Sequence, residues 1–278
     1  MAKQEWRDKS ALVTGAGSGI GRAVSKELAR RGATVYVSAL TGVEAQRVVD
    51  EITAQGNSAV AVELDVTDNA QYLAAIERVA SEQGAIDLLV NNAGLLYVGE
   101  YYEMDEAFLE KLIRVNHTAV AIGTLYGYRV MKEQGHGLIV NVASQGGVMP
   151  VGTMAAYSGT KHAVVGLTAS VAGEAEAFGV EFRTVCPGNV ASDLLGKAVT
   201  RGTDAQGVLN VLPDAMPADV AAVNIVDGFS RKSRKIFVPW YARALYLAQR
   251  IWPEFGHKGV VHSMRTFREN RDDKVNQN

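Results

Sequence analysis

Residues 10–21 read Ser-Ala-Leu-Val-Thr-Gly-Ala-Gly-Ser-Gly-Ile-Gly, a short apolar run followed at once by a glycine-rich turn. Glycines between a strand and a helix let the backbone approach a pyrophosphate, and the helix N-terminus supplies N–H groups and a positive dipole end. The spacing is T-G-x-x-x-G-x-G rather than G-x-G-x-x-G, because position 20 is isoleucine and position 22 is arginine. The alternative is a turn that only packs the helix against the strand. We expect a nucleotide cofactor at this loop.

Around this loop, short β-branched runs alternate with longer segments in which apolar residues recur with a helical period. This alternation predicts an α/β fold, a single Rossmann-type doubly wound parallel sheet with helices on both faces. The expected strands are 10–14, 34–38, 59–65, 85–91, 138–143, 180–186 and 235–239. The expected helices are 20–31, 43–55, 69–83, 105–133, 155–178 and 217–230.

Length and composition narrow the class of protein. One dinucleotide-binding and catalytic domain over 1–278 is expected, with a substrate loop at 190–216 and a C-terminal helical extension at 240–266. The formal net charge of −2 and the lack of a long basic tract give no reason to expect nucleic-acid binding. Without a signal-like apolar core or a membrane-length apolar run, the sequence predicts a cytoplasmic protein with a small-molecule substrate.

Cysteine and histidine usage gives no indication of a metal site. Cys186 is the single cysteine, so no intramolecular disulfide can form and no site can use several thiolates. Nothing beside Cys186 in the sequence offers a base, so we interpret it as a small buried hydrophobe. His117, His136 and His162 lack a regular ligand spacing. We assign no metal.

Tyr157 and Lys161 lie four residues apart on a predicted helix, so their side chains share one face. A cation about 6 Å from a phenol contributes roughly 2–3 kcal/mol at an effective dielectric of ~20, so we expect Lys161 to lower the pKa of Tyr157. Y-x-x-x-K alone is weak evidence in a chain with ten tyrosines. Ser144, at the end of a predicted strand where sheet enzymes bind ligands, supplies a hydroxyl for a substrate oxygen.

With these motifs, the sequence resembles the classical short-chain dehydrogenase/reductase family from about residue 10 to residue 192. The matching residues are Gly15, Gly19 and Gly21 in the glycine motif, 91–94 in the N-N-A-G motif, Asn116, and Ser144, Tyr157 and Lys161. The resemblance implies that Tyr157 protonates a carbonyl oxygen during reduction while Ser144 positions it. It further implies that Lys161 binds the nicotinamide ribose and that Asn116 holds a proton-relay water; for Asn116 the alternative is an ordinary polar helix residue.

The resemblance also implies a cofactor site that runs along the carboxyl ends of the strands. Asp65 and Val66 would lie against the adenine, and residues 187–190 would frame the nicotinamide. For Asp65 the alternative is a turn residue, and for Asn91 it is a brace of the strand. The cofactor residues expected are Gly15, Ser18, Gly19, Ile20, Gly21, Ser38, Ala39, Leu40, Thr41, Asp65, Val66, Asn92, Ala93, Gly94, Tyr157, Lys161, Pro187, Gly188, Val190 and Ser192.

The end of the second strand bears on the choice between NAD(H) and NADP(H). An acidic residue there binds the ribose 2′-OH, whereas an arginine favours a 2′-phosphate. Ala39 and Leu40 stand where family members often carry these residues, so the strand has neither. With no carboxylate to oppose a phosphate, and with Ser38, Thr41 and Arg22 available to hold one, the sequence favours NADP(H).

Three apolar stretches, 95–104, 145–154 and 191–216, are expected to surround the nicotinamide. They favour a hydrophobic ketone or aldehyde and its alcohol, although the same residues could only pack loops against the body. The substrate residues expected are Leu96, Ser144, Met149, Met154, Leu194 and Leu195, within a wider apolar set that adds Tyr97, Val148, Val211 and Leu212. Two other functions stay open: a non-catalytic nucleotide-binding regulator, and a dehydratase or epimerase that retains its cofactor.

Residues 240–252 follow the last predicted strand, and their pattern predicts an amphipathic helix. Tyr241, Leu245, Ala248 and Trp252 would lie on one apolar stripe of it. Such a helix covers a subunit contact, roofs the substrate pocket, or lies at a membrane interface. We expect Pro253 to end or bend it, 254–263 to turn back toward the body, and the charged tail after residue 266 to fray. The small residues of the two longest helices predict a homodimer or homotetramer.

Overall fold

The chain forms a twisted parallel sheet with helices on both faces in a computed structural model, which describes residues 5–203, 214–231, 233–272 and the backbone of 276–277. The strands are β1 Ser10–Val13, β2 Thr34–Ala39, β3 Ala59–Glu63, β4 Leu88–Asn91, β5 Tyr97–Val98, β6 Gly137–Val142, β7 Val180–Pro187, β8 Val199–Arg201, β9 Lys235–Val238 and β10 Asn276–Gln277. Seven of them form the main sheet in the order β3-β2-β1-β4-β6-β7-β9, with every neighbouring pair parallel. The predicted fold class is confirmed.

Two layers of helices cover the sheet, one on each face. The helices described are α1 Gly19–Arg30, α2 Gly42–Thr53, α3 Asn69–Gln83, α4 Glu106–Ile113, α5 Ala119–Gln134, α6 Ala155–Ala175, α7 Asp193–Gly196, α8 Ala218–Phe229, α9 Trp240–Ile251 and α10 Pro253–Glu269. Successive residues of β1 alternate between the two cores: Ala11 and Val13 pack with α1, α2 and α8, whereas Leu12 packs with α3, α5 and α6.

The segment predicted as one helix over 105–133 contains a change of pitch. Helix α4 ends at Ile113, residues 114–118 form a wider π-helical turn, and α5 continues from Ala119. Asn116 in this turn is fully buried, and its amide bonds to the backbone of Leu95. Single π turns of this kind are frequent at functional sites. The strand expected at 85–91 begins only at Leu88. Residues 85–87 instead bond Ser10: the Asp87 carboxylate accepts the Ser10 N–H at 2.9 Å, and the Ala85 carbonyl accepts the Ser10 hydroxyl.

The C-terminal extension is more ordered than the sequence indicated. Pro253 begins α10, where a missing N–H costs no hydrogen bond, and residues 254–263 turn back toward the body as a helix, with Ser263 beside Gly152. The tail predicted to fray after residue 266 continues as helix to Glu269. On α9 the predicted stripe is only half-buried, and Trp240 and Ile251 at its margins are 80% and 85% exposed.

A small second sheet joins three distant parts of the chain. Strand β8, from the predicted substrate loop, pairs in parallel with β5 and antiparallel with β10. Both β5 and β8 follow carboxyl ends of the main sheet. The sheet therefore fixes two candidate substrate loops against each other.

Candidate active site

The glycine loop between β1 and α1 presents bare backbone to the cleft. Gly15 has φ of +61°, and a methyl group there would lie 2.7 Å from Ala93 Cα. A methyl group on Gly21 would lie 2.5 Å from Gly15 O. Ser18 is the N-cap of α1, yet its side chain makes no capping hydrogen bond. A concave backbone at an uncapped helix N-terminus fits a cofactor diphosphate.

Thr14 and Asn92 hold the loop in this shape. The Thr14 hydroxyl accepts the backbone N–H of Asn92 at 2.9 Å, and the Asn92 amide donates to Thr14 O at 2.8 Å. The neighbouring Asn91 is buried and donates to Asn141 Oδ1 at 2.7 Å, while the Tyr72 hydroxyl donates to it. Asn91 therefore braces β4 against β6, and Asn92 braces the glycine loop.

At the adenosine end, the predicted residues differ in what they expose. Ser38 is fully buried with an unpartnered hydroxyl, and Ala39 is buried beside it. Leu40 is exposed, and Thr41 caps α2 by accepting the Glu44 N–H at 3.3 Å. Their contacts with a cofactor stay predictions.

The two residues expected at the adenine have structural partners of their own. Asp65 accepts the N–H and the hydroxyl of Thr67, both at 2.8 Å. It therefore acts as a turn residue, the alternative given for it in the sequence. Val66 packs in the core on the α3 side of the sheet. An adenine contact for either residue stays a prediction.

Ser144, Tyr157 and Lys161 meet at the carboxyl end of β6. Helix α6 turns Tyr157 and Lys161 to one face, with the Lys161 ammonium 5.7 Å from the centre of the Tyr157 ring. Lys161 Nζ donates to Val142 O at 2.9 Å, at the end of the strand that Ser144 follows. A methyl group on Gly94 would lie 3.6 Å from Lys161 Nζ, so the N-N-A-G turn reaches the same point. The structure thus brings the predicted catalytic residues together.

Burial disfavours both charged forms at this centre. It raises the pKa of Tyr157, which a hydrogen bond with Ser144 opposes in part, and it lowers the pKa of Lys161 to about 8. The expected lowering of the Tyr157 pKa by Lys161 is therefore not seen in the protein alone. Desolvation of the buried phenol is the larger cause, and the hydrogen bond with Ser144 is the smaller one.

Asn116 packs beside this centre from the π turn. Its Oδ1 accepts the Leu95 N–H at 2.7 Å, and its Nδ2 donates to Leu95 O at 2.9 Å and to Thr160 Oγ1 at 3.4 Å. The amide therefore ties the N-N-A-G turn to α6. The relay water stays a prediction.

The residues at the end of β7, which are predicted to frame the nicotinamide, are held by backbone contacts and by one side chain that the sequence did not indicate; their contact with a cofactor stays a prediction. Gly188 donates its N–H to Val238 O at 2.7 Å, and Val190 bridges to Met216. The Tyr241 hydroxyl, from α9, accepts the Asn189 N–H at 3.1 Å. Ser192 lies against Gly19, where an added methyl group would approach its Cβ to 3.0 Å.

An apolar cluster surrounds the Tyr157 ring. Four predicted substrate residues, Leu96, Met154, Leu194 and Leu195, join Tyr157 in it, together with Val98 and Ala198. Met149 lies outside this cluster and accepts a hydrogen bond from Gln145. Val148 packs in another cluster, with Cys186, and Tyr97 packs on Phe108. Val211 and Leu212 lie outside the described residues.

The C-terminal extension fastens the loops that carry this cluster, which sequence reasoning missed. Arg268 bonds Glu100 through two N–H groups at 3.1 and 2.7 Å, and Arg271 donates to Glu103 at 3.0 Å. The Thr153 N–H donates to Met264 Sδ at 3.3 Å. Arginines spaced three apart in a charged tail gave no reason to favour these particular partners.

Other candidate chemistry is sparse. Cys186 is buried, and burial raises the pKa of its thiol to about 12, in keeping with the predicted inert role. Within 5–203, 214–231 and 233–272, no three His, Cys, Asp or Glu residues are grouped to hold a metal ion. Among the helices described, none is both long and apolar enough to cross a membrane.

Comparisons with known proteins agree with this geometry. The model of the short chain dehydrogenase family matches residues 9–202. The chain is 37% identical over 200 residues to the cyclohexanol dehydrogenase of Acinetobacter sp. strain SE19, covering 71% of this chain and 79% of that protein.

Two solved structures share the fold. One is a short-chain dehydrogenase/reductase from Burkholderia phymatum in complex with NAD, with a TM-score of 0.81 at 26% identity over 90% of this chain and 96% of that chain. The other is a short-chain dehydrogenase from Sphingobium yanoikuyae in complex with NADPH, with a TM-score of 0.76 at 28% identity over 88% of this chain and 93% of that chain.

Proposed function

The chain belongs to the short-chain dehydrogenase family and is an NAD(P)-dependent oxidoreductase acting on CH–OH and C=O groups, and we propose that it interconverts a hydrophobic ketone or aldehyde and its alcohol. The observation that carries this proposal is the apolar cluster around the buried Tyr157, formed with Leu96, Met154, Leu194 and Leu195. An apolar lining with few polar groups favours a hydrophobic substrate over a sugar or a charged acid.

Tyr157 is the proposed general acid and base. In reduction, its O–H gives a proton to the carbonyl oxygen as a hydride adds to the carbonyl carbon; in oxidation, both transfers reverse. The bound nicotinamide supplies or accepts that hydride. Because burial raises the pKa of Tyr157, the phenol is protonated at neutral pH, which is the form that reduction requires.

Ser144 and Lys161 are proposed to position the reactants. The Ser144 hydroxyl accepts the Gly146 N–H at 3.1 Å and also bonds Tyr157, so it can hold the substrate oxygen next to the phenol. Lys161 is buried with its ammonium on Val142 O, within reach of the N-N-A-G turn. There it would bind the nicotinamide ribose, and a positive charge brought by the oxidised cofactor would favour the phenolate.

Whether the chain prefers NAD(H) or NADP(H) is also part of the proposed function, and observations exist on both sides. The sequence favoured NADP(H) because β2 lacks a carboxylate at its end, and relatives of known structure are seen with NAD or with NADPH. Against NADP(H), Glu63 accepts the Gly42 N–H at 2.7 Å, and Glu44 lies beside Ala39. Arg22, one residue considered for a 2′-phosphate, is bonded to Glu51.

We propose a homodimer or homotetramer because of the small residues on the long helices, and a cytoplasmic location because the sequence has neither a signal-like apolar core nor a membrane-length apolar run. On α6, Gly159, Gly166 and Gly173 recur every seventh residue, and the space above each is open. Exposed Ile113 and Leu125 lie on the preceding helices. Small residues with heptad spacing permit close helix packing between subunits, and sedimentation at micromolar concentration tests this.

The decisive experiment is an activity screen with NADH and NADPH against hydrophobic ketones, aldehydes and secondary alcohols. We expect steady cofactor turnover that Tyr157→Phe lowers by roughly 10²- to 10⁴-fold, with cofactor binding retained, because the ring stays and only the acid is lost. Tyr102→Phe, at an exposed tyrosine, is the matched control. Binding without turnover would favour the regulator, and activity without net cofactor consumption would favour the dehydratase or epimerase.

A further inference from the structure

We propose that Glu44, at the start of α2, is the carboxylate that selects NAD(H), by accepting the adenosine ribose hydroxyls and repelling a 2′-phosphate. The inference deepens the proposed function and rests on the cofactor site described for it. It assigns to a helix residue the discrimination that an acidic residue at the strand end would provide.

Three backbone segments converge where Glu44 lies. A methyl group placed on Gly17 of the glycine loop would lie 3.1 Å from Ala39 Cβ, 3.1 Å from Glu44 Cβ and 3.8 Å from the Glu44 carboxyl carbon. The end of β2, the glycine loop and the first turn of α2 therefore share one small space. Because Gly17 and Ala39 are small, the carboxylate of Glu44 fits beside the strand end from which an acidic residue is missing.

The side chain of Glu44 is anchored yet accessible. Glu44 is the third residue of α2; the Thr41 hydroxyl accepts its backbone N–H and donates to its carboxylate, at 3.3 Å each. Its side chain is 43% exposed, and Lys197 is its ion-pair partner at 3.5 Å, itself 61% exposed. A carboxylate that is anchored at the start of its helix by Thr41, and is still partly exposed, can accept hydrogen bonds from a vicinal diol.

A 2′-phosphate would meet a negative field here. It carries close to two negative charges near neutral pH, and like charges at a few ångströms repel strongly. Glu63 adds a second carboxylate, bonded to the N–H of Gly42 at 2.7 Å, two residues before Glu44. The two carboxylates together disfavour NADP(H) at this end of the cleft.

The nearby arginines are already engaged. Arg22 donates to Glu51 Oε1 at 3.2 Å, and Arg47 donates to Glu51 Oε1 at 3.0 Å and to Gly17 O at 2.6 Å. Arg47 thus stabilises the glycine loop itself. Turning either guanidinium toward a phosphate would break its bond to Glu51, and for Arg47 also its bond to the glycine loop.

The test is fluorescence titration of the full-length protein with NADH and with NADPH, which needs no substrate. We expect the wild type to bind NADH at least 10-fold more tightly than NADPH. Glu44→Gln should narrow this ratio by at least 10-fold, through weaker NADH binding and stronger NADPH binding. Glutamine keeps the backbone N–H that Thr41 caps and an amide oxygen that can accept from the Thr41 hydroxyl, so the variant should keep the wild-type melting temperature.

Three matched variants isolate the carboxylate. Lys197→Gln breaks the same ion pair but keeps the charge of Glu44, and it should keep the NADH preference. Glu77→Gln removes an exposed charge on α3 and should change neither affinity. Ala39→Asp should add little to the preference, because a carboxylate already stands there.

Several outcomes would overturn the inference. Tighter binding of NADPH by the wild type would do so, as would an unchanged ratio in Glu44→Gln with a collapsed ratio in Glu63→Gln. A loss of NADPH binding in Arg47→Gln, with no effect of Glu44→Gln, would assign the opposite preference. If the folded wild type binds neither nucleotide, the cofactor assignment itself fails, which separates that failure from an error about Glu44.

Discussion

The glycine loop and the C-terminal extension shape opposite ends of one cleft by different physical means. At the loop, backbone sterics decide: added methyl groups on Gly15 or Gly21 would meet backbone atoms of 92–94 or of the loop itself. In the extension, side chains decide, since Arg268 and Arg271 reach Glu100 and Glu103 and Tyr241 reaches Asn189. We propose that the first means serves cofactor binding, whereas the second shapes the proposed substrate pocket. The family match ends at residue 202, before the extension begins.

The largest expected effect breaks the loop side of this comparison. Gly21→Ala places a methyl group 2.5 Å from Gly15 O, so the loop must open, and we expect cofactor affinity to fall by roughly 100-fold or more. Titration with NADH or NADPH measures this. The matched control is Gly259→Ala in α10, where the added methyl group meets open space and should leave affinity unchanged. Equal affinities in both variants would contradict the steric account.

Truncation after Pro239 tests the role of the C-terminal extension. Removing α9 and α10 frees the Asn189 N–H and the loops held by Arg268 and Met264, so we expect a lower melting temperature and weaker hydrophobic substrate binding, with cofactor binding retained. A single unfolding transition in the intact protein would support the prediction that 1–278 form one domain. If only sedimentation with lipid vesicles is lost, while melting temperature and KM stay unchanged, the extension is a membrane element instead.

A finer version of the same test removes only the two arginine clasps. Arg268→Gln with Arg271→Gln should raise substrate KM by about 5-fold and leave the cofactor Kd unchanged, because the pairs hold the loop at 97–103. Arg250→Gln, at an exposed arginine of α9, serves as control. A fall in cofactor affinity equal to the change in KM would show that the two ends of the cleft are not independent.

The smallest effect concerns stability and pH at the centre. Burial lowers the pKa of Lys161 to about 8 from an ordinary value of 10.5, so between these values the unfolded chain binds more protons than the folded one. The contribution of Lys161 to the free energy of unfolding therefore rises as pH increases above about 8. Relative to Lys161→Met, the wild type should gain on the order of 1 kcal/mol between pH 7 and pH 9. Parallel denaturation curves at the two pH values would argue against a buried, depressed ammonium.

Sequence reasoning succeeded where local pattern and fold agree. Alternating strands and helices predicted the sheet, and helix α3 has the predicted bounds; in the structure, Asp68 caps its start and Gly84, with φ of +79°, ends it. Tyr157 and Lys161 were paired from helical spacing alone. These features depend on neighbours within a few residues or on the order of parallel strands.

Features that depend on contacts between distant segments were not predicted from the sequence. The sequence did not predict that the segment after Pro253 is helical as it turns back, because a proline and two glycines indicate a turn, whereas Gly256 packs against Gln249 and Pro150. The partners of Glu44 were missed because Gly17, Ala39 and Glu44 meet only after β2 and α2 fold onto the glycine loop. The rise in the Tyr157 pKa was missed because spacing reports the nearby charge but not the burial.

The clasp between α10 and the loop at 97–103 has an evolutionary consequence. Because Arg268 and Arg271 act at the loop through Glu100 and Glu103, we expect substitutions in the extension to reshape the proposed substrate pocket without altering α6 or the glycine loop. Variation between species would then concentrate in the extension and its loop partners. For directed evolution, a library confined to 97–103, 149–154 and 256–271 would explore new substrate ranges while the hydride-transfer apparatus stays constant.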